Sequence, residues 1–343
     1  MKRFLLSFLK IAIPLGAGMF LMWYFYDAMS EEQKGQMFDA FKRANYSWVF
    51  LSLIFGLISH LSRSYRWQFL LEPMGYKTRF WNSYHAVMSA YLINYMIQRA
   101  GEAGRAGLMY KYEKVPFSKG FGTILAERAV DLIMLALIAV VTVATQLNKL
   151  DLFKEQLEAV KNSQFGGDAL AIIGKIMGVL IIIGLISLVI MYIIKPGFRS
   201  KIKELARGFI EGLQMVVRTP KIIPFILHTF IIWGCYIMMF WVCFYSLPET
   251  SDIPFAGILA GFVAGSVGIV LVQGGIGAYP LLVGLIISVY MSNADTGSPI
   301  NANAQALGYI IWVSQTVMII LLGSLSLLLM PYYNKRIKRL NNG

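Results

Sequence analysis

The sequence predicts an all-α polytopic membrane protein, and three observations carry that prediction. Of its 343 residues 57% are hydrophobic and only 14% charged, against about 25% charged in a soluble domain. Apolar runs of about 20 residues, the length that crosses a bilayer, recur along the chain. Lys and Arg gather in alternate loops, as they do on the cytoplasmic face of a membrane protein. The net charge of +13 follows from those loops and points to anionic lipid rather than nucleic acid.

Taken in order, six full spans are expected: Phe4–Tyr26, Ser47–Leu70, Gly120–Thr145, Ala169–Ile194, Ile222–Leu247 and Ala304–Met330. The first has a basic start and an apolar core but lacks a small-x-small cleavage site followed by a mature domain, so it reads as a retained signal anchor. Two further apolar regions do not fit as single spans. Trp81–Tyr110 is interrupted by QRAGEAGR (98–105), and Pro254–Met291 by VQGGIGAY (272–279).

Loop charge sets the orientation. Lys2, Arg3 and Lys10 place the N-terminus in the cytoplasm, the acidic-leaning 27–45 loop lies outside, and Arg63, Arg66, Lys77 and Arg79 return the chain inside. Lys111, Lys114 and Lys119 then follow the first broken region, so the chain enters and leaves it on one side, as a re-entrant hairpin. Asp151, Glu155, Glu158 and Asp168 mark an external loop; Lys195 to Arg207 mark an internal one, read as an amphipathic helix on the inner surface. Glu249, Asp252 and Asp295 flank the second broken region, which therefore dips from outside. Lys335, Arg336, Lys338 and Arg339 bring the C-terminus to the cytoplasm.

One integral membrane domain, 1–343, results. Residues 1–46 form the first span and its external loop, 47–146 a first repeat, 147–221 a connecting span with its loops, and 222–343 a second repeat of opposite orientation. Inverted repeats with Gly-interrupted segments in corresponding places point to a transporter whose site lies between the breaks. Cys235 and Cys243 share one expected helix about 12 Å apart, too far for a disulfide.

The chemistry lies at the two breaks. Arg99, Glu102, Arg105, Glu127, Arg128 and Asp131 sit among membrane-length apolar runs, where each ionisable group costs roughly 2.5–3.5 kcal/mol. Glu102 and Arg105 stand three apart on a short helix and can pair, and on the next span Glu127 and Asp131 are i,i+4 neighbours and Arg128 and Asp131 i,i+3 neighbours. Three arginines against three carboxylates can clamp the hairpin to the next span. They can also share an arginine with an entering phosphate, since the planar guanidinium binds phosphate oxygens in pairs. A carboxylate released in this way would be free to take up a proton. At the second break Gly274, Gly275 and Gly277 can expose N–H groups to an anion at a helix N-terminus, with Gln273 and Tyr279 adding neutral hydrogen bonds. The same glycines equally suit close helix packing.

His60, Arg63 and Arg66 read as snorkelling anchors at the cytoplasmic interface, and Trp67 as one of the interface-belt aromatics. His85 and His228 stand isolated.

The order Arg99-x-Gly101-Glu102-x-x-Arg105, Pro116-Phe117, Glu127-Arg128-x-x-Asp131-Leu132 and Gly274-Gly275-Ile276-Gly277 resembles the lysylphosphatidylglycerol synthase transmembrane family, also called flippase-like or UPF0104. The likeness covers nearly the whole chain after the first span. In multidomain members this module is thought to move aminoacylated phosphatidylglycerol between leaflets, and a soluble domain makes the lipid. The sequence ends soon after its last expected span, so the resemblance implies translocation without synthesis. Where the family pattern has Pro before the second Gly-Gly and an acid after it, this chain has Gln273 and Tyr279-Pro280, so no proton carrier is expected there.

The expected function is that of a flippase-like transporter in the cell inner membrane, moving a phospholipid or polyprenyl-phosphate-type lipid, with Arg99, Arg105 and Arg128 receiving the phosphate. Its partner is that lipid, and a partner enzyme of envelope lipid synthesis is conceivable; the sequence carries no signal of oligomeric state. No phosphate loop, zinc-ligand spacing or nucleophile elbow occurs, so no catalytic residue, metal or cofactor is expected, and the chain reads as not an enzyme. The competing classes are a membrane-embedded lipid-modifying enzyme and a non-transporting scaffold of an envelope-synthesis complex.

Overall fold

The computed structural model describes residues 29–97, 100–147, 195–291 and 300–341, with scattered positions from 16 to 27 and residues 154 and 158. The expected span Ala169–Ile194, most of Phe4–Tyr26, and Gln98, Arg99 and Asp295 lie outside the described residues. Among the described residues all regular structure is helical.

The external loop expected at 27–45 is itself largely a helix, α1 (Glu31–Arg43). Ser30 and Gln33 form a reciprocal capping box, with Glu31 and Glu32 in the first turn and Lys42 and Arg43 in the last, each sign at the end of the helix dipole that favours it. After Asn45 caps the next helix, the chain turns by 72° into α2 (Tyr46–Leu71). Next come α3 (Phe80–Met96), α4 (Gly101–Glu113) and α5 (Phe117–Gln146). The second part of the chain holds α6 (Pro196–Arg218), α7 (Ile222–Val242), α8 (Phe255–Leu271), α9 (Ala278–Ser288) and α10 (Ala302–Asn341).

By length and composition two described helices can cross a membrane: α7 with its 3-10 extension (Ile222–Ser246), and α10 (Ala302–Leu340). The bent pair α1–α2 makes a third if taken as one span. At 30 residues α5 is about 45 Å long, but its first half carries Glu127, Arg128 and Asp131.

Both interrupted regions fold as antiparallel helical pairs. In the first, the Asn82 amide donates to the Glu113 carboxylate at the open end, and the Gly101 N–H donates to Asn94 Oδ1 at 2.7 Å at the tip. A Cβ on Gly101 would strike the Ala90 carbonyl and the Asn94 side chain, so this turn closes only around glycine. In the second pair, Gly257 lies against Tyr290, Gly261 against Ile287 and Gly268 against Tyr279. Small residues on one face let the two backbones close on each other.

The two hairpins enter from opposite ends of the molecule. At one end Arg43 donates to Glu249 and Asn303, and the Asn301 N–H reaches Ser288 at the base of α8–α9. At the other, Lys221 pairs with Glu72, and Asn334 donates to Asn82 at the base of α3–α4. The tips meet between these ends. Gln273 Nε2 donates to the Tyr95 carbonyl at 2.9 Å, and the Trp312 indole N–H donates to the Gly274 carbonyl at 2.7 Å. Gly274 holds φ +65° against the Tyr95 ring, a position and a conformation both suited to glycine.

A further correspondence ties the halves together. Gln146 near the end of α5 donates to the Ala256 carbonyl at the base of the second hairpin, at 2.7 Å, while Asn334 near the end of α10 holds the base of the first. Each half's last helix therefore grips the other half's hairpin, in opposite senses.

Candidate functional site

Three elements converge beside the first tip. α5 carries the adjacent Glu127 and Arg128 and, one turn on, Asp131, and α4 presents Glu102 and Arg105. α2 contributes Arg63 and Arg66, which the sequence reading took for interface anchors. That reading is corrected: Arg66 is fully buried and Arg63 nearly so. Burial follows from their place well inside α2, and from the carboxylates on α5 that would otherwise lie unpaired in an apolar setting.

Arg66 uses all three of its nitrogens. Nε reaches Glu127 Oε1 at 3.2 Å, Nη2 reaches Asp131 Oδ1 at 2.9 Å, and Nη1 donates to the Thr229 hydroxyl at 3.1 Å. Arg63 Nη1 donates to Asp131 Oδ2 at 2.7 Å, so Asp131 is held between two guanidinium groups. Arg105 Nη1 stands 2.8 Å from Glu127 Oε2, an ion pair aligned too poorly for a full hydrogen bond. At the periphery Arg128 Nη2 donates to Glu102 Oε1 at 2.8 Å.

The Glu102–Arg105 pair that the spacing allows is therefore replaced by crossed ones. α4 points Arg105 inward to Glu127 and leaves Glu102 beside Arg128, on the rim. Arg128 keeps 46% of its side-chain exposure, which places that pair where it can open.

Trp67 is likewise corrected from an interface aromatic to a buried support. The Arg105 guanidinium lies 3.7 Å from the centre of its ring, and its indole N–H donates to Thr123 at 2.8 Å. A cation over an aromatic face is attracted by the ring quadrupole, and the indole bond fixes the platform. Beyond Arg63, the Tyr236 and Tyr91 hydroxyls stand 3.2 Å apart, and the His60 ring lies 4.9 Å from that of Tyr91.

Among the described residues the cluster sets four arginines (Arg63, Arg66, Arg105, Arg128) against three carboxylates (Glu102, Glu127, Asp131), one positive charge in excess. Its donors are not all used. Three donor atoms, Arg105 Nε and Nη2 and Arg63 Nε, are buried without a hydrogen-bond partner, against two acceptor atoms, Glu102 Oε2 and Glu127 Oε2. Arg63, Arg105 and Arg128, with Tyr91, Asn94 and Glu102, line a cavity of about 10 Å³, room for a single water.

The second break is built differently. The Gly275 and Ala278 N–H groups donate within the turn, to Val272 and Ile276, so the anion-facing donors expected of Gly274, Gly275 and Gly277 are in part spent on the turn itself. Tyr279 is buried against Gly265 and Gly268, and Gln273 serves the contact between tips. In this conformation these residues form a packed joint. His85 and His228 also have partners, Ser326 at 3.0 Å and Ser62 at 2.8 Å. Among the described residues no group of three or more His, Cys, Asp or Glu side chains could hold a metal ion.

The family model described as the lysylphosphatidylglycerol synthase TM region matches residues 7–313. A UPF0104 membrane protein of Methanocaldococcus jannaschii is 31% identical over 90 residues, which are 25% of this chain and 27% of that protein's length. No solved structure matches the chain.

Proposed function

The chain is a membrane protein belonging to the lysylphosphatidylglycerol synthase transmembrane family, and from that premise we propose that it moves a phosphate-bearing lipid between leaflets, with no covalent step on the lipid. The observation that carries this reading is the buried arginine excess with donors left over beside a cavity. A purely structural clamp would match donors to acceptors, because an unsatisfied buried polar group costs about 1–3 kcal/mol, and more when charged. A phosphate oxygen would take the free edge of Arg105 and the free Nε of Arg63, and its charge would balance the cluster.

The cavity admits no headgroup as it stands, so a transport cycle must widen it. The exposed Arg128–Glu102 pair is its natural door, and the packed tips are the barrier between the two ends. An apolar groove of about 850 Å³, lined among others by Met22, Phe41, Val49, Tyr309 and Val313, suits acyl chains. Val313 adjoins Trp312, which holds the second tip, so tails in the groove would lie next to the moving joint.

In this reading the molecule sits in the cell inner membrane with six spans, both hairpins re-entrant, and both termini cytoplasmic. Non-helical backbone at the tips is then tolerated because protein buries it. Phospholipid and polyprenyl-phosphate headgroups both fit the chemistry, and an enzyme that makes such a lipid is a fitting partner.

The test is leaflet exchange in reconstituted vesicles, using a headgroup-labelled phospholipid, for wild type and Arg105→Gln. The variant is expected to slow exchange at least about tenfold, one charge-assisted hydrogen bond being worth about 1.5–3 kcal/mol. Equal rates from a folded variant would remove the arginine from the mechanism.

A further inference from the structure

Among the described residues no side chain of the helix α6 (Pro196–Arg218) joins the ion-pair cluster, yet the helix carries an ordered row of exposed cations. Arg199, Lys203 and Arg207 recur every four residues, so they form one stripe along the helix, and all three are exposed. Lys195 before the helix and Arg218 at its end are exposed as well. Further along the same face Ile210 and Val217 are also exposed, at 52% and 67%, and the exposed Glu211 closes the four-residue register. A cationic stripe bordered by bare aliphatic side chains is the pattern of a helix lying at a lipid interface: the aliphatic groups dip into the acyl boundary and the cations meet headgroups.

The opposite face of α6 fastens to the bundle. Gly212 lies against Ala126 so closely that a Cβ there would come within 3.1 Å of the Ala126 Cα. Val216 is buried with Leu70, Ala126 and Phe225, and the Thr219 hydroxyl donates to the Phe69 carbonyl at 2.9 Å. The helix thus docks at the end of the molecule where Lys221 meets Glu72 and where the exposed Lys335, Arg336, Lys338 and Arg339 emerge from α10.

We infer that α6 is a docking surface for anionic phospholipid headgroups of the leaflet at this basic end. Charge complementarity selects that occupant, since each Lys or Arg near an anionic leaflet adds attraction that a zwitterionic leaflet does not supply. Its close contact with Ala126, the residue before Glu127, sets the lipid-bound helix directly behind the ion-pair network.

The test uses the full chain carrying Arg105→Gln, so that the arginine cavity does not contribute to binding. Retention of phosphatidylglycerol and of phosphatidylcholine with the same acyl chains is measured by native mass spectrometry. The comparison is between that protein, its R199Q/K203Q/R207Q derivative, and a K34Q/K42Q derivative altered at the opposite end. The triple change is expected to weaken phosphatidylglycerol retention by at least about tenfold while phosphatidylcholine retention and melting temperature stay unchanged; the K34Q/K42Q pair is expected to alter neither lipid. Undiminished phosphatidylglycerol retention in the triple derivative, or an equal loss of both lipids, would overturn the inference. The first result would leave the stripe to a soluble acidic partner.

Discussion

At the scale of the residue, the fold rests on Arg66 as much as the proposed transport rests on Arg105. Arg66 is fully buried and bonds to Glu127, Asp131 and Thr229. Removing one member of such a network strands the other charges in a low dielectric, at a cost of about 3–5 kcal/mol. Arg66→Ala is therefore expected to lower thermal stability sharply in detergent, whereas Arg128→Ala, at the exposed rim, is expected to cost less than about 1 kcal/mol. Comparable melting temperatures for the two variants would contradict this division between frame and door. The carboxylates and Arg105 were legible in the sequence because charges within apolar runs demand a partner. Arg63 and Arg66 were not, because loop-charge reasoning groups every Lys and Arg near a span end with the anchors. A signal was present: both precede Leu70 by a turn or more, too deep in the helix for easy snorkelling, and α5 offers Glu127 and Asp131 with no basic neighbour on its buried face. Trp67 was missed for the same reason, since only the docked α4 brings Arg105 over its ring.

At the scale of the element, the proposed passage of a headgroup requires the two helical hairpins to move. Their glycines announced the turns, and the opposite entry of the hairpins followed from loop charge. That the tips touch did not follow, because tip contact depends on Gln273 reaching a backbone carbonyl in the other half, which no local pattern records. Likewise α1 hid in an expected loop: its 13 residues are too polar for a span, yet its capping box was readable as Ser30-x-x-Gln33. Cysteines placed at Tyr95 and Gly274 and joined by a short crosslinker are expected to halt leaflet exchange, with recovery when the link is cleaved. Unchanged exchange with the tips joined would exclude tip separation from the cycle. Widening the turn should also fail: Gly101→Val must displace the Ala90 carbonyl or Asn94, and is expected to lose both stability and exchange. Filling the apolar groove instead, with Val313→Trp, is expected to slow exchange while leaving the melting temperature nearly unchanged.

At the scale of the whole molecule, charge divides between the two ends. One gathers Glu31, Glu32, Asp39, Glu249 and Asp252; the other gathers α6, the Lys221–Glu72 contact and the basic end of α10. In a background lacking Cys235 and Cys243, a cysteine at Asp252 is expected to react with an impermeant maleimide in intact cells, and one at Lys338 only after permeabilisation. The reverse pattern would invert the proposed topology. The all-helical class was legible from composition and run length alone, whereas the buried excess of positive charge depends on which helices dock together. That excess leads to the most direct measurement of the central claim, namely the lipid retained on purification by the R199Q/K203Q/R207Q protein, in which the α6 stripe no longer contributes, with and without Arg105→Gln, read by native mass spectrometry. The account predicts that the protein with Arg105 intact holds a phosphate lipid in preference to a neutral diacylglycerol with the same tails, and that adding Arg105→Gln abolishes this preference. Equal retention of both lipids with Arg105 intact, or a preference that survives its replacement, would contradict it.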